Sequence, residues 1–268
     1  MTEQLASDRA VRPADAQVGD FTVLAREQVS PGFVRLTVTS SGDGFDETFR
    51  YQGFDQWFRL FLPNDLGVLE PPYGPQEGWY SRWNAIDADR RPIIRNYTIR
   101  DARQVDGRWH LDIDFVLHAG GSGEIEGVAA RWASTVGPGE RIGLLDQGPI
   151  FNATADGPIV IIADESGLPG VEAIARSLNG RDATYLLEVP QLDDRRELLG
   201  ADPRWQVRPA GTMPGTAALQ DLPDIDVDPS SYAYVVGEAT FMLAARKHLK
   251  ECGIGKERMD FCAYWRPA

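Results

Sequence analysis

The first half of the chain alternates short hydrophobic segments with polar turns. Phe21–Leu24 and Phe33–Val38 flank the turn Ser30-Pro31-Gly32, and a third segment, Trp57–Leu62, ends at Pro63. These segments are rich in β-branched and aromatic residues, and Gly, Pro, Asn or Asp residues bound them. Such a pattern is typical of short antiparallel strands.

The same pattern continues after a long interruption. Gly67–Arg91 is rich in Pro and Gly and is predicted to be a loop. Loops of this length in compact domains more often have a function than merely connect two elements. The next predicted elements are the strands Ile93–Arg100 and Trp109–His118 around a turn at Val105-Asp106-Gly107, a glycine-rich loop at 120–123, a helix at Val128–Thr135 and a strand at Arg141–Leu145. Six short antiparallel strands and one helix predict a Greek-key barrel.

The pattern of hydrophobic and polar residues changes near Asn152, where longer apolar runs alternate with helical segments. Pro158–Ala163 is almost continuously apolar, which indicates a strand buried on both faces. The elements predicted after it are a helix at Val171–Leu178, a strand at Ala183–Val189, a charged helix at Asp193–Leu199, strands at Trp205–Arg208 and Tyr232–Val236, a helix at Thr240–Glu251 and a strand at Met259–Tyr264. This alternation predicts a parallel, doubly wound α/β sheet.

These patterns divide the 268 residues into a mobile N-terminal tail (1–17), a barrel domain (18–152) and an α/β domain (153–268). A hydrophobic content of 43% is enough for two packed cores. No apolar run approaches the roughly 20 residues of a membrane helix. Residues 1–20 lack the apolar centre of a secretory signal, so we expect a soluble, cytoplasmic protein. We also expect it to be a monomer.

Charge and composition exclude several classes of function. A net charge of −13 argues against a nucleic-acid partner, because phosphate binding requires a basic footprint. Two cysteines, Cys252 and Cys262, are too few for an iron–sulfur cluster and are predicted to be buried thiols. His110, His118 and His248 show no metal-ligand spacing, so no protein-bound metal is expected.

The stretch Arg95–Arg100 (Arg-Asn-Tyr-Thr-Ile-Arg) is the first candidate for chemistry. Side chains alternate along a strand, so Arg95 and Tyr97 share one face and Thr98 points to the other. A cation, an aromatic ring and a hydroxyl suit a flavin nucleotide, with its pyrophosphate, its flat ring system and its N5 atom. The alternative is an edge strand with solvated arginines, and this hexapeptide alone does not decide between them.

Two strand ends in the second half are candidates for a nucleotide site. Ala163–Gly170 and Gly237–Thr240 each join a predicted strand to a helix, and ligands of parallel sheets bind beyond the carboxyl ends of strands. Neither G-x-G-x-x-G nor a P-loop signature is present. The alternative is simple helix capping by Asp164, Ser166 and Thr240.

Six co-linear blocks make the chain resemble the siderophore-interacting proteins, flavin-dependent ferric-siderophore reductases of the ferredoxin-reductase-like superfamily. The blocks are Arg95–Thr98, Asp114–His118, Arg131–Ala133, Ala163–Glu165, Val236–Ala239 and Tyr264–Arg266. The resemblance implies that the barrel binds FAD and that the α/β domain binds NAD(P)H. The chain departs from the family at three places. Gly127-Val128-Ala129-Ala130 lacks the hydroxyl of the usual Gly-Pro-Ala-Ser, and Gly148-Pro149-Ile150-Phe151 replaces Gly-Pro-Arg-Gly. The loop after His118 is longer.

The resemblance also implies roles for individual residues. Arg95 would neutralise FAD phosphate, Tyr97 would stack on the isoalloxazine, and Thr98 would bond near N5. The residues that would line the adenosine side are Asp114, Phe115, Val116, Leu117 and His118. Ala129, Ala130 and Arg131 would lie near the pyrophosphate, and Glu165, Gly237, Glu238 and Ala239 would face the nicotinamide nucleotide. Trp132 and Trp265 would also be cofactor-binding residues. The ferric siderophore would be held by Arg59, Arg131 and Arg266.

The implied reaction passes electrons from NAD(P)H through FAD to siderophore-bound Fe(III), and no catalytic side chain is required. Glu188 ends the second parallel strand, where an acidic residue meets a ribose 2′-hydroxyl, and therefore favours NADH. Arg195 and Arg196 could instead pair with a 2′-phosphate. Three alternatives stay open: a general flavin reductase or ferredoxin-fed flavoprotein, a siderophore-binding flavoprotein without turnover, and a two-domain protein without flavin.

Overall fold

The computed structural model describes residues 12–42, 44–119, 124–152 and 154–266. The chain forms two compact units, one ending at Pro149 and the other beginning at Ile150. None of the helices in the described ranges is long and apolar enough to span a lipid bilayer.

The first unit is built on an antiparallel sheet of seven strands, ordered β4-β3-β9-β1-β2-β6-β5. The strands are β1 (Gly19–Ser30), β2 (Phe33–Ser40), β3 (Trp57–Leu62), β4 (Ile93–Thr98), β5 (Asp101–Val105), β6 (Arg108–Val116) and β9 (Arg141–Gly148). The small elements are α1 (Phe45–Thr48), α2 (Trp79–Ala85), the hairpin β7 (His118–Ala119) and β8 (Ile125–Glu126), and α3 (Val128–Thr135). This architecture confirms the predicted antiparallel barrel.

A single chain crossing joins the two ends of this sheet. The N–H of Ile99 donates to the carbonyl of Gln56 beside β3, and the next N–H, that of Arg100, donates to the carbonyl of Asp112 in β6. The chain therefore leaves one end of the sheet as β4 and enters the other end as β5. The enclosed core contains Phe58, Leu60 and Phe115, all fully buried.

The strand β5 is absent from the sequence-based prediction, which had six strands. Its sequence, Asp-Ala-Arg-Gln-Val, has no hydrophobic face, and pairing with β6 holds it in place. The turn after it was predicted correctly: Asp106 and Gly107 both have positive φ, 50° and 78°. Two residues of positive φ match the twist of a two-residue hairpin.

The predicted long loop at 67–91 contains the helix α2, and it packs together with residues that were predicted as tail. Residues 1–11 of that tail lie outside the described residues. Ala16, by contrast, is buried with Phe61 and Leu145, and its carbonyl accepts from the N–H of Gln76. Residues 12–17 therefore belong to the barrel unit, because an apolar side chain anchors them.

The second unit has a five-stranded parallel sheet in the order β12-β11-β10-β13-β14. Its strands are β10 (Ile159–Ala163), β11 (Ala183–Val189), β12 (Arg204–Val207), β13 (Tyr232–Glu238) and β14 (Met259–Trp265), and its helices are α4 (Leu168–Leu178), α5 (Thr216–Asp221) and α6 (Ala239–Glu251). The strand order reverses between β10 and β13, so this pair of strands forms the topological switch point. The predicted doubly wound α/β sheet is confirmed.

The predicted charged helix at 193–199 is wrong. Only a 3₁₀ turn, Leu192–Asp194, forms there, and Arg195 is already extended. Arg196 is largely buried and pairs with Glu172 of α4 at 2.8 Å, and Leu198 is buried. Tertiary partners therefore hold this segment against its helical propensity. The short helix α5 was not predicted, and the glycine-rich loop at 120–123 lies outside the described residues.

Candidate functional site

The strand β4 carries the first candidate site, at one end of the seven-stranded order. Its register pairs Tyr97 with Phe58, Asn96 with Arg59, and Thr98 with Trp57 of β3. Paired residues of antiparallel strands point to the same side of the sheet. Tyr97 therefore lies on the side of the barrel core, while Thr98 lies on the opposite side together with Trp57 and Arg59.

The ring of Tyr97 is supported by two further aromatic side chains. Its centroid lies 4.3 Å from that of Phe115, which lies 6.2 Å from that of Trp132 on α3. Tyr97 is half-buried and packs on the core. Burial raises the pKa of the Tyr97 phenol, and the charge of Arg95 opposes this shift. The result is a neutral, rigidly backed ring at the rim of the barrel.

Arg95 lies beside this ring and is exposed. Its Nη1 atom donates to the adjacent carbonyl of Ile94 at 2.7 Å. The guanidinium keeps further donors that can face a ligand. Of the predicted trio on this strand, Arg95 and Tyr97 are accessible, whereas Thr98 is buried.

The N-terminus of α3 offers donors to an anion. The preceding residue, Gly127, has φ 87°, and no side chain caps the helix. The first intrahelical bond runs from the N–H of Arg131 to the carbonyl of Gly127, at 3.0 Å. The N–H groups of the preceding positions, including Ala129 and Ala130, therefore have no acceptor within the helix. Both alanines are buried, and Arg131 is exposed.

The predicted adenosine-side residues differ in their surroundings. The carboxylate of Asp114 is buried and accepts two bonds from Arg35, at 2.7 and 3.0 Å, with Arg100 at 3.8 Å. This ion pair fixes the register between β2 and β6. Phe115 is fully buried, while Val116, Leu117 and His118 are half-buried.

These observations fit FAD. A backed aromatic ring suits the isoalloxazine, an exposed guanidinium suits a phosphate, and an uncapped helix N-terminus suits the pyrophosphate. Ala130, in the first turn of α3, lacks the Ser hydroxyl that the family has at this position, so binding of the pyrophosphate would depend on backbone N–H groups. The individual cofactor-binding roles stay predictions.

A buried carboxylate, that of Asp164, organises the switch point of the α/β unit. It accepts from the N–H and hydroxyl of Ser166, from the N–H of Glu238 at 2.6 Å, and from Nε1 of Trp265 at 3.1 Å. It thereby ties together the carboxyl ends of β10, β13 and β14. Burial raises the pKa of Asp164, and these donors oppose the shift. Gly237 leaves the space, since a Cβ there would lie 2.6 Å from the Asp164 carboxyl carbon.

A second buried cluster is centred on Arg208. Its Nη1 and Nη2 atoms donate to the two oxygens of Glu165, and its Nε donates to Glu188 at 2.7 Å. Both glutamates are fully buried. Burial raises the pKa of Glu165 to about 7, Asp164 adds to the shift, and Arg208 opposes it.

The sequence-based argument from Glu188 is wrong, and the argument for a 2′-phosphate loses one of its two arginines. Besides Arg208, Glu188 accepts from the N–H groups of Gly215, Ala217 and Ala218 at 2.6 to 3.0 Å. Its oxygens therefore cap α5 and are not directed to a ribose. Arg196 pairs with Glu172, so it is not available to a 2′-phosphate.

The proposed capping of the two strand ends is confirmed for Asp164, which caps the 3₁₀ turn Glu165–Gly167. At the second strand end the cap is Glu238, not Thr240: its side chain accepts from the N–H groups of Thr240 and Phe241, at 2.7 and 2.9 Å. Ala239, the first residue of α6, is buried.

The three predicted siderophore-binding arginines lie on different elements. Arg59 packs over the rings of Trp79 and Trp57, at 4.5 and 5.3 Å from their centroids. Arg131 is exposed on α3, and Arg266 is exposed after β14 in the other unit. Their convergence on one ligand stays a prediction.

Sequence reasoning missed Arg208 and the bond from Trp265 to Asp164. Arg208 stands 20 residues after Glu188 and 43 after Glu165. No local pattern connects positions so far apart. Only the acidic partners could have been found from the sequence, because they lie at the ends of predicted buried strands.

The sequence profile of the siderophore-interacting FAD-binding domain matches residues 22–150, and that of the siderophore-interacting protein matches residues 158–268. A siderophore utilization protein from T. fusca has 26% identity and a TM-score of 0.73, covering 95% of this chain and 94% of that one. The siderophore-interacting protein SipS from Aeromonas hydrophila, 24% identical, shares the fold with a TM-score of 0.72 over 95% of this chain and all of its own.

A curated relative is much longer. The mycobactin import ATP-binding/permease protein IrtA of Mycolicibacterium thermoresistibile is 26% identical over 265 residues, which are 95% of this chain. This chain spans only 25% of that relative's length. The two profile matches cover almost the whole barrel and the whole α/β unit. The chain belongs to the siderophore-interacting protein family, and its barrel unit matches the FAD-binding domain of that family.

Proposed function

We propose that the protein is an FAD-dependent oxidoreductase that reduces Fe(III) held by a siderophore, with NAD(P)H as the electron donor. The observation that carries this proposal is the half-buried ring of Tyr97, backed by Phe115 and Trp132, beside the exposed Arg95. A packed ring next to a cation is an arrangement for a flat, anionic cofactor.

Bound FAD would supply the conversion between a two-electron hydride donor and one-electron acceptors, so one NAD(P)H balances two Fe(III). The chain's own residues would hold the cofactor and orient it. Tyr97 would support one face of the flat ring, Arg95 would neutralise phosphate charge, and the N-terminal N–H groups of α3 would bind pyrophosphate. No side chain has to act as a general acid or nucleophile.

Release of iron follows from ligand chemistry. Hard oxygen ligands hold Fe(II) far less tightly than Fe(III), so reduction weakens the chelate. Arg59, Arg131 and Arg266 would raise the local concentration of an anionic chelate on a chain of net charge −13.

The nicotinamide nucleotide would bind at the switch point, near Glu165 and Gly237–Ala239. The sequence-based preference for NADH rested on Glu188, whose oxygens are taken up by Arg208 and α5. The competing case for a 2′-phosphate rested on Arg195 and Arg196, and only Arg195 is exposed. The proposed donor is therefore NAD(P)H without a preference. A monomer acting in the cytoplasm stays part of the proposal.

A visible spectrum of the purified protein, followed by anaerobic ferric-chelate reduction, tests the proposal. We expect a yellow protein and Fe(II), trapped by ferrozine, with NADH or NADPH. Fe(II) formed only with reduced ferredoxin would instead indicate a ferredoxin-fed flavoprotein. Chelate binding without Fe(II) from any donor would indicate a binding protein, and a colourless protein that does not take up FAD would refute the flavin site.

A further inference from the structure

One arginine of the barrel unit lacks the counter-charge that comparable arginines have. Arg35, Arg196 and Arg208 are largely buried, and each pairs with a buried carboxylate. Arg59 is half-buried, and among the described residues no carboxylate lies within salt-bridge distance of it. Burial lowers the pKa of Arg59 to about 10, and the like charge of Arg12 adds to this shift. Arg59 is therefore still charged at neutral pH, and its charge is not neutralised by a carboxylate in the described ranges.

The groups around Arg59 are aromatic rings and hydrogen-bond donors. Its guanidinium carbon lies 4.5 Å from the ring centroid of Trp79 and 5.3 Å from that of Trp57. Nη1 donates to Oδ1 of Asn96 at 3.3 Å. Nε of Arg59 and Nε1 of Trp57 are buried and have no acceptor in the part of the chain that the structure describes. The charge is shielded from water by the two rings, so it is screened less than an exposed charge.

The strand register places this charge beside the residue predicted to lie near the flavin N5. Across β3 and β4, Arg59 pairs with Asn96 and Trp57 pairs with Thr98. Arg59 and Thr98 are therefore diagonal neighbours on one side of the sheet, and such neighbours lie roughly 7 to 8 Å apart. Trp57 and Thr98 are both buried, so the medium between the charge and Thr98 is mostly protein.

A fixed positive charge close to a flavin affects it in one direction. Hydride transfer delivers two electrons and one proton to the ring system, which thereby gains one negative charge. A nearby cation favours the more negative state, so it raises the reduction potential. A unit charge about 10 Å away, at an effective dielectric constant of about 20, changes such an equilibrium by about tenfold.

We propose that Arg59 raises the reduction potential of the bound FAD through its uncompensated charge. This role rests on the proposed function, because it requires the flavin to lie against β4. Arg59 is a positioning residue and not a catalytic one: two indole rings and Asn96 hold its guanidinium in place, and the charge acts through space past Trp57 and Thr98. The effect favours hydride acceptance from NAD(P)H and is separate from the predicted attraction of an anionic chelate.

The midpoint potential of the FAD in the holoprotein tests this role without any iron chelate. It is measured anaerobically at pH 7 against a reference dye during slow enzymatic reduction. Arg59→Met removes the charge and should shift the two-electron equilibrium about tenfold towards the oxidised flavin, which is a fall of about 30 mV. Arg59→Lys keeps the charge and should stay within about threefold of the wild type.

A second substitution leaves Arg59 in place. Asn96→Asp puts a carboxylate where Oδ1 accepts from Nη1, so it compensates the charge and strengthens the contact. We expect a fall of about tenfold here as well, whereas a purely structural role of Arg59 predicts no fall. Arg108→Met removes an exposed charge next to the turn after β5 and is the matched control. It should shift the equilibrium by less than about twofold.

Unchanged potentials in Arg59→Met and Asn96→Asp, or an equal fall in Arg59→Met and Arg59→Lys, would overturn this role. If Arg59→Met does not bind FAD, the potential of Asn96→Asp decides. The expected shifts in a protein that forms no Fe(II) with any donor would contradict the reductase and support the role of Arg59. Reduction of ferric chelates by a protein whose variants show no shift would contradict the role of Arg59 alone. A protein that takes up no FAD would contradict both.

Discussion

Removal of Arg208 is the perturbation whose outcome the structure determines most fully. Its guanidinium contacts both Glu165 and Glu188, and both carboxylates are fully buried. Arg208→Met keeps the length of the side chain and removes the charge. Glu188 retains three backbone N–H donors, whereas Glu165 loses both of the donors that Arg208 gives it.

The expected cost at pH 8 is about 3 to 5 kcal/mol of unfolding free energy, the usual penalty for breaking a buried ion pair by removing one of its members. The cost should depend on pH. Burial raises the pKa of Glu165 to about 7 even with Arg208 present, above its unfolded value of 4.5. A raised carboxyl pKa means that the folded state binds protons more tightly, so stability falls as pH rises from about 4.5 to about 7. At pH 5 the Glu165 carboxyl is largely protonated in the folded state, so loss of Arg208 costs less there.

Urea denaturation at pH 5 and pH 8 measures both quantities. Arg204→Met is the matched control, since Arg204 is nearby and forms an ion pair with Asp221 but is about half exposed. We expect the control to lose less than about 1 kcal/mol at either pH. A loss below about 1 kcal/mol for Arg208→Met at pH 8, or an equal loss at both pH values, would refute the reasoning.

Three further predictions concern the two units separately. Tyr97→Ala should weaken FAD binding by about tenfold to a hundredfold in a fluorescence titration, while Tyr97→Phe, which keeps the ring, should bind nearly as the wild type. Gly237→Ala should cost about 2 to 4 kcal/mol in urea denaturation, because the new Cβ meets the Asp164 carboxyl group; Gly211→Ala, at positive φ in open space, should cost only the backbone strain of about 1 kcal/mol. Asp114→Asn should destabilise the barrel by about 2 to 4 kcal/mol, and an unchanged urea midpoint would show that its ion pairs contribute little.

Local pattern alone was sufficient for much of the fold. Three elements have the predicted bounds: the strands Trp57–Leu62 and Ala183–Val189 and the helix Val128–Thr135. Their bounds were predictable because the spacing of hydrophobic side chains shows whether one face or both faces of an element are buried. The order of six family blocks likewise identified the family, and a short run, Arg95–Thr98, led to the prediction of a flavin site. These features depend on residues that are close together in the chain, so they can be predicted from the sequence alone.

Only the tertiary structure decided what the charged side chains contact. Segment 193–199 is not a helix because Arg196 finds Glu172, and Glu188 is no ribose ligand because Arg208 and α5 saturate it. Arg59 lies opposite to the Tyr97 side of the sheet because its register partner is Asn96. A charge takes whichever partner the packed chain brings within a few ångströms, and that partner stood 20 or more residues away in each of these cases.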